Sequence, residues 1–251
     1  MGQVPAPQRY LIIGNGRTAR HFMHYFNREY IPCETWSRSD SPQELRKRAK
    51  ISTHALILLS DPAIEPFLTE NPFLASLVCL HFSGSLITDK AIGAHPLMTF
   101  SYDLYDLETY RKIPFIIEKG TEFQHALPGL KNPHFEIARE DKTRYHALCV
   151  LSGNFSILLW EKAFADFETR LGLPRSVLFP YLERVSSNLR AADGSVLTGP
   201  LKRGDQVTIQ RHLSALENDP FQKVYEAFVD CYQSSQDNQE RSPGETNEIH
   251  T

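Results

Sequence analysis

Short apolar runs alternate with amphipathic stretches over the first 140 residues. The runs "RYLIIG", "CETWS", "HALILLS" and "LVCLHFS" are too short for helices and give way to turn-forming or polar residues, as strands do. Between them lie segments of helical spacing: one from the glycine turn at Gly14 to about Tyr30, the polar "SPQELRKRAK", and one that starts after Asp61-Pro62. Strand and helix in turn predict a parallel sheet with helices on both faces. Three further runs, "HPLMTFS", "IPFIIE" and "HFEIA", extend the expected sheet to about residue 140, with a helical turn in "EFQHALPGL" before the last.

After Glu140 the texture changes. "DKTRYHALCVLSGNFSILLWEKAFADFETRLG" carries apolar residues at helical spacing and closes on Gly172 and Pro174. It is apolar on more than one face, through Leu148, Val150, Leu151, Phe155, Leu158, Leu159 and Trp160, which suits a helix buried between a domain and a partner subunit. Helices are expected again around 175–191 and 204–235. From Ser235 the chain is polar and aperiodic, so a disordered tail is expected. The pattern divides the chain into an α/β domain over 8–140, an all-α domain over 141–234 and a tail over 235–251.

Composition narrows the classes without choosing among them. A length of 251 residues suits one large domain with a smaller companion. A formal net charge of -3 gives no electrostatic case for a nucleic-acid surface. Cys33, Cys79, Cys149 and Cys231 form neither a CxxC pair nor a Cys/His cluster, so free thiols and no metal site are expected. "MGQVPAPQRY" has no signal pattern, and Ala6 stands where a myristoylation motif needs Ser or Thr. From composition, no stretch is expected to reach the roughly 20 apolar residues of a membrane helix. A soluble, cytoplasmic protein with no membrane partner is the expectation.

The first candidate chemistry is the turn Gly14-Asn15-Gly16-Arg17-Thr18-Ala19, which follows an apolar strand and opens a helix, the context that a G-x-G-x-x-A dinucleotide fingerprint requires. Gly14 allows the tight turn, Gly16 lets the backbone approach a pyrophosphate, and Ala19 keeps the helix close to the sheet. Free amides at the helix start then face the phosphates. Purely steric use of the glycines is the competing reading. At the end of the second strand an NAD enzyme places Asp or Glu on the ribose hydroxyls; this chain has Trp36-Ser37-Arg38-Ser39. A serine hydroxyl and a guanidinium suit a 2′-phosphate that a carboxylate would repel, so NADP (as NADPH) is the expected cofactor, against Arg38 as a solvated surface residue.

Later strand ends supply candidates for the reaction. Ser60-Asp61-Pro62 falls at the end of the third strand, where it lines a nicotinamide ribose or merely caps a helix. Ser83-Gly84-Ser85 follows the fourth, and His95-Pro96 is expected at the beginning of the next. An imidazole titrates near neutral pH, so His95 is a candidate to handle a substrate proton, against a packed structural role. Lys142 and His146 share a helical face at i and i+4, with Ser152-Gly153-Asn154 two turns on. That stripe faces a cleft between the domains, or Lys142 is simply solvated. "LTGPLKRGDQVTIQRHL" adds Lys202-Arg203 in a Gly-Pro turn, with Asp205 as an expected N-cap.

Taken together, "GNGRTA", "WSRS", "HFSGSL", "GAHPLMTF", "KTRYHALCVLSGN" and "LTGPLKRGD" resemble, in that order, bacterial proteins with a Rossmann-like domain followed by a DUF2520 domain. The resemblance spans about residues 9 to 215. It implies a fold similar to 6-phosphogluconate dehydrogenase, ketopantoate reductase and pyrroline-5-carboxylate reductase, an oxidoreductase using NADP or the deazaflavin F420, and a homodimer through the helical domain. Prephenate dehydrogenases have a His-Pro pair after a Gly-Ser segment, which maps a substrate contact onto His95 and Ser83. The β-hydroxyacid dehydrogenases place a catalytic Lys, and an Asn four residues on, where this chain has Lys142 and His146. That His-for-Asn departure means their mechanism does not carry over directly from the resemblance. Two further departures are Ser60 where many relatives have Pro, and Lys202 where they have a small residue.

The resulting expectation is an NADP-dependent oxidoreductase acting on a small polar substrate bound between the domains. Its cofactor residues are Gly14, Asn15, Gly16, Arg17, Thr18, Ser37, Arg38, Ser60 and Asp61. His95 and Lys142 are the catalytic candidates, and Ser83, Gly84, His146, Asn154 and Arg203 the substrate-binding ones. A non-catalytic nucleotide sensor or scaffold is the main alternative, and a deazaflavin enzyme the next.

Overall fold

The computed structural model describes residues 8–192 and 194–241. Internal contacts divide the chain into two units, 1–163 and 164–251. The first holds a seven-stranded sheet of β1 (Tyr10–Ile13), β2 (Cys33–Trp36), β3 (His54–Ile57), β4 (Val78–His81), β5 (Ile92–Pro96), β6 (Phe115–Glu118) and β7 (His134–Ile137). Their order is β2-β1-β3-β4-β5-β6-β7. Helices α1 (Arg17–Arg28), α2 (Pro42–Lys50) and α3 (Asp61–Glu70) connect the early strands; the short α4 (Leu107–Lys112) and α5 (Phe123–Ala126) follow β5 and β6.

Alternation along β1 accounts for both cores. Tyr10 and Ile12 pack with Phe22 and Phe26 of α1 on one face, while Leu11 and Ile13 pack with Leu45 of α2 and Ile64 of α3 on the other. A strand buried on both faces has no polar positions, which is why "YLII" reads as one apolar run.

Two expectations about the sheet are corrected. The first five strands are parallel, but β6 pairs with β5 antiparallel and β7 follows β6 in parallel, so the sheet is mixed. The fifth strand is also Ile92–Pro96 rather than the stretch beginning at His95. The Met98 amide turns back onto the Pro96 carbonyl at 2.8 Å, and the chain leaves the ladder there. His95 thus sits at the C-terminal end of its strand, on the edge that also carries the glycine turn.

From Lys142 the chain is helical through α6 (Lys142–Cys149), a π-helical turn at Val150–Asn154 and α7 (Phe155–Thr169), within which the boundary between the units falls. Leu148, Leu151, Phe155 and Leu158 are exposed along this stretch. Contrary to the compositional expectation, the segment Arg139–Thr169 is long and apolar enough to cross a membrane by length and composition.

The second unit comprises the rest of α7 with α8 (Phe179–Ala191), α9 (Pro200–Arg203), α10 (Gln206–Ala215) and α11 (Phe221–Arg241). Asp205 caps α10 as expected, accepting from the Thr208 amide at 3.0 Å. α11 runs past Ser235 to Arg241, where a tail without structure was expected; Gln, Glu and Arg are good helix formers even where no apolar stripe marks them. The remainder of that tail, 242–251, lies outside the described residues.

Candidate functional site

Because β1 to β5 are parallel, their C-terminal ends share one edge, and most candidates of the first unit collect there. At the end of β1, Gly14 has φ +130°, and a Cβ there would lie 2.3 Å from the Leu58 carbonyl oxygen. Only glycine fits this turn. Gly16 is the N-cap of α1; a Cβ there would meet nothing within 4 Å, so the backbone borders open space. No side chain caps the helix and its first turn holds no acid, leaving amides that point outward with the positive end of the helix dipole. These features fit a pyrophosphate. Ala19 is fully buried against the sheet, as a close helix contact requires.

A cavity of about 580 Å³ opens from this turn. Gly14, Asn15 and Gly16 after β1, Ser37 and Arg38 after β2 and Ser60 after β3 line it, with β1 between the other two strands. Arg38 is exposed and has no ionic partner among the described residues, and Glu70 is the other charged residue of the wall. The loop after β2 is ordered from within: the Ser37 amide donates to Asp40 at 2.9 Å, and the Ser37 and Ser39 hydroxyls lie 2.7 Å apart. A second cavity, of about 260 Å³, shares Leu58 and Leu59 with the first and is lined by Thr18, Asp61, Ser83 and His95 among apolar side chains.

Around this second cavity the polar groups are tightly held. Ser83 donates to Asp61 at 2.5 Å and accepts from the Leu86 amide at 2.9 Å, while Ser85 donates to the same carboxylate oxygen at 3.3 Å. His95 Nδ1 lies 2.6 Å from the Tyr145 hydroxyl of α6. Burial, reinforced by His146 and Lys142, pushes the His95 pKa down to about 4. Tyr145 moves the other way, its pKa raised chiefly by burial and further by Cys149, so its hydroxyl keeps its proton. His81, at the end of β4, is fully buried; neither ring nitrogen has a hydrogen-bond partner, and burial lowers its pKa to about 4.

Two glycines let α6 lie on the sheet. A Cβ on Gly84 would stand 2.5 Å from His146 Cδ2, and one on Gly93 would stand 2.1 Å from Lys142 Nζ. Lys142 is buried and donates to Glu118 at 2.7 Å, so its ammonium is engaged beneath the site and does not line either cavity. Arg139 approaches the other Glu118 oxygen at 3.3 Å, a coulombic contact in which Nε–H makes no aligned hydrogen bond.

The edge of the sheet therefore brings together Gly14, Asn15, Gly16, Thr18, Ser37, Arg38, Ser60, Asp61, Ser83 and His95. Arg17 follows the turn with its guanidinium 5.6 Å from the Tyr102 ring centre. Gly84 and His146 pack on each other, Asn154 is exposed in the π-helical turn, and Arg203 belongs to the second unit. Sequence reasoning missed Tyr145, Glu118 and His21, whose ring bonds the Tyr110 hydroxyl at 2.8 Å and the Ser101 carbonyl at 3.0 Å. Tyr145 sits three residues after Lys142 on the helix already singled out, which was the available signal.

Residues 116–231 match the family described as "Domain of unknown function (DUF2520)", in agreement with the motif resemblance. Curated proteins gave no match. Among solved structures, the chain is similar to a Bacteroides fragilis protein described as an NADP oxidoreductase, with TM-score 0.73 and 20% identity over 91% of this chain and 99% of that one. It is also similar to a reductive aminase from Aspergillus terreus solved with NADPH and ethyl levulinate (TM-score 0.61, 12% identity, 92% and 94% covered). The pyrroline carboxylate reductase of Plasmodium falciparum with NADP bound is a third (0.57, 14%, 91% and 97%). At these identities the likeness establishes the fold: a Rossmann-type sheet with a helical part.

Proposed function

We propose that this chain, which matches the DUF2520 domain over residues 116–231 and has a dinucleotide-type sheet, is an NADP-dependent oxidoreductase. The observation that carries the proposal is the pair of neighbouring cavities that share Leu58 and Leu59 in their walls, one lined by Arg38 and the glycine turn and the other by His95. A nicotinamide dinucleotide supplies or takes up a hydride when bound. The amides after Gly16 hold its pyrophosphate, Ser37 and Arg38 hold a 2′-phosphate, and the apolar walls of the smaller cavity exclude water from the reacting end. Solved neighbours described as NADP oxidoreductase and as NADP(H) complexes support the same cofactor class.

His95 is the substrate-facing group. With a pKa near 4 it is a neutral imidazole at pH 7. An imidazole nitrogen is a stronger acceptor than a thiol sulfur, so Tyr145 donates to Nδ1 and the ring carries its proton on Nε2. His95 then orients a substrate heteroatom by a hydrogen bond. Lys142, paired with Glu118, anchors α6 instead of exchanging protons. The exposed stripe Leu148, Leu151, Phe155 and Leu158 is covered by a second copy of the chain in a cytoplasmic homodimer; Ser152-Gly153-Asn154 in its middle and Glu161-Lys162 beyond it favour that over a lipid surface.

The test is turnover. Purified protein with NADPH and a panel of small carbonyl and imine compounds should lose reduced-nicotinamide absorbance with at least one of them, and His95→Ala should abolish that loss. Tight NADPH binding with no consumption across the panel would favour a sensor.

A further inference from the structure

The smaller cavity has an unusual charge pattern for a pocket that handles polar substrates. Among the described residues, Asp61 is the only formally charged one on its wall. Two hydroxyls, of Ser83 and Ser85, already donate to one of its oxygens, which fixes the carboxylate in place. Of the basic groups nearby, His95 alone lines this cavity. Burial leaves His95 and His81 neutral at pH 7, and the ammonium of Lys142 is neutralised by Glu118 at 2.7 Å. An anionic substrate would therefore enter a desolvated site with no counter-charge and one carboxylate to repel it.

We propose that the substrate of this site is cationic, an amine and its protonated imine, with the N–H of the reacting nitrogen received by Asp61. The inference rests on the oxidoreductase reading above and names the substrate class of the same cavity. In the reductive direction the imine arrives already protonated. A hydride from the reduced nicotinamide forms the new C–H bond, and the C=N π pair becomes the nitrogen lone pair. The products are a neutral amine and the oxidised dinucleotide, and no proton is needed from a protein acid. That agrees with a site whose imidazole is too weakly basic to be an imidazolium. The Nε2–H of His95 is available to the lone pair as it forms, while Asp61 keeps the N–H.

Three probes that share one ring test this: cyclohexylamine, cyclohexanol and cyclohexanecarboxylate, titrated calorimetrically at pH 7 with and without saturating NADP. The expected result is cyclohexylamine binding at least about tenfold more tightly than either other probe, since a hydrogen bond between charged partners is the added contact. In Asp61→Asn that preference should fall below about threefold, with or without NADP. The wild-type ranking and its weakening by added salt decide the matter even if the variant does not fold. Equal or tighter binding of the alcohol or the carboxylate, no binding of any probe, or an amine preference that survives in Asp61→Asn would overturn the proposal. Failure of the protein to bind NADP would count against the oxidoreductase reading instead, and the nucleotide-free titration would still report the charge preference.

Discussion

Removing one member of the buried pair Lys142 and Glu118 tests both the packing of α6 and the role of its lysine. Their side chains are 5% and 11% exposed, and the N to O distance is 2.7 Å. Glu118→Leu leaves the ammonium buried with no counterion, a loss of about 3–5 kcal/mol. Lys142→Met leaves Glu118 with Arg139 at 3.3 Å, so the loss should be smaller, about 1–3 kcal/mol. The double variant removes both charges and fills the space with apolar atoms, and should lie within about 1 kcal/mol of wild type. The coupling energy is then at least about 3 kcal/mol. Both tryptophans, Trp36 and Trp160, belong to the unit of residues 1–163, so tryptophan fluorescence in urea follows that unit. With a slope of about 2 kcal/mol per molar urea, Glu118→Leu should lower the midpoint by roughly 1.5–2.5 M. Single-variant losses that simply add would refute the pairing. If the double variant folds and retains NADPH turnover, Lys142 is confirmed as an anchor.

Other consequences are as direct. Gly14→Ala forces a Cβ to 2.3 Å from a backbone oxygen at φ +130°, and should lower stability by at least about 1–3 kcal/mol and abolish NADPH binding, read by calorimetry. Depressed His81 and His95 pKa values near 4, against about 6.5 unfolded, mean that the unfolded chain binds more protons between those limits. Stability should therefore fall as pH drops from about 6.5 to 4 and level off below. His81→Leu, which also removes two unpartnered nitrogens, should make that fall shallower in urea titrations at several pH values. Tyr145→Phe should change the His95 ring-nitrogen NMR shifts from an Nε2–H pattern to a mixture of tautomers; unchanged shifts would remove Tyr145 from its orienting role.

Much of this edge was legible in the chain because its signals are local. The turn at Gly14 and the Ser37-Arg38 pair each depend on residues within a few positions of one another, and the strand, turn and helix around them repeat a known order. The β5–β6 pairing was not legible, because alternation of apolar residues marks a strand without giving its direction, and the 18 residues between Pro96 and Phe115 allow either. His95 was placed at the wrong end of its strand since "IGAHP" has two small residues that weaken its apolar signature. Its partner Tyr145 is 50 positions away, and spacing along one helix says nothing about which strand end that helix will meet. Lys142 looked available for chemistry for the same reason: Glu118, its counter-charge, is 24 positions earlier on a strand whose direction was not foreseen.

The central claim is that the groove from Arg38 to His95 holds NADP. The measurement that tests it most directly is a fluorescence titration with NADPH and NADH, on wild type and on Arg38→Ala. Loss of a charge-assisted contact of about 1.5–3 kcal/mol predicts NADPH binding roughly 10- to 100-fold tighter than NADH in wild type, with the preference gone in the variant and NADH affinity nearly unchanged. Equal affinity for the two nucleotides, a preference that persists without Arg38, or no binding of either would contradict it.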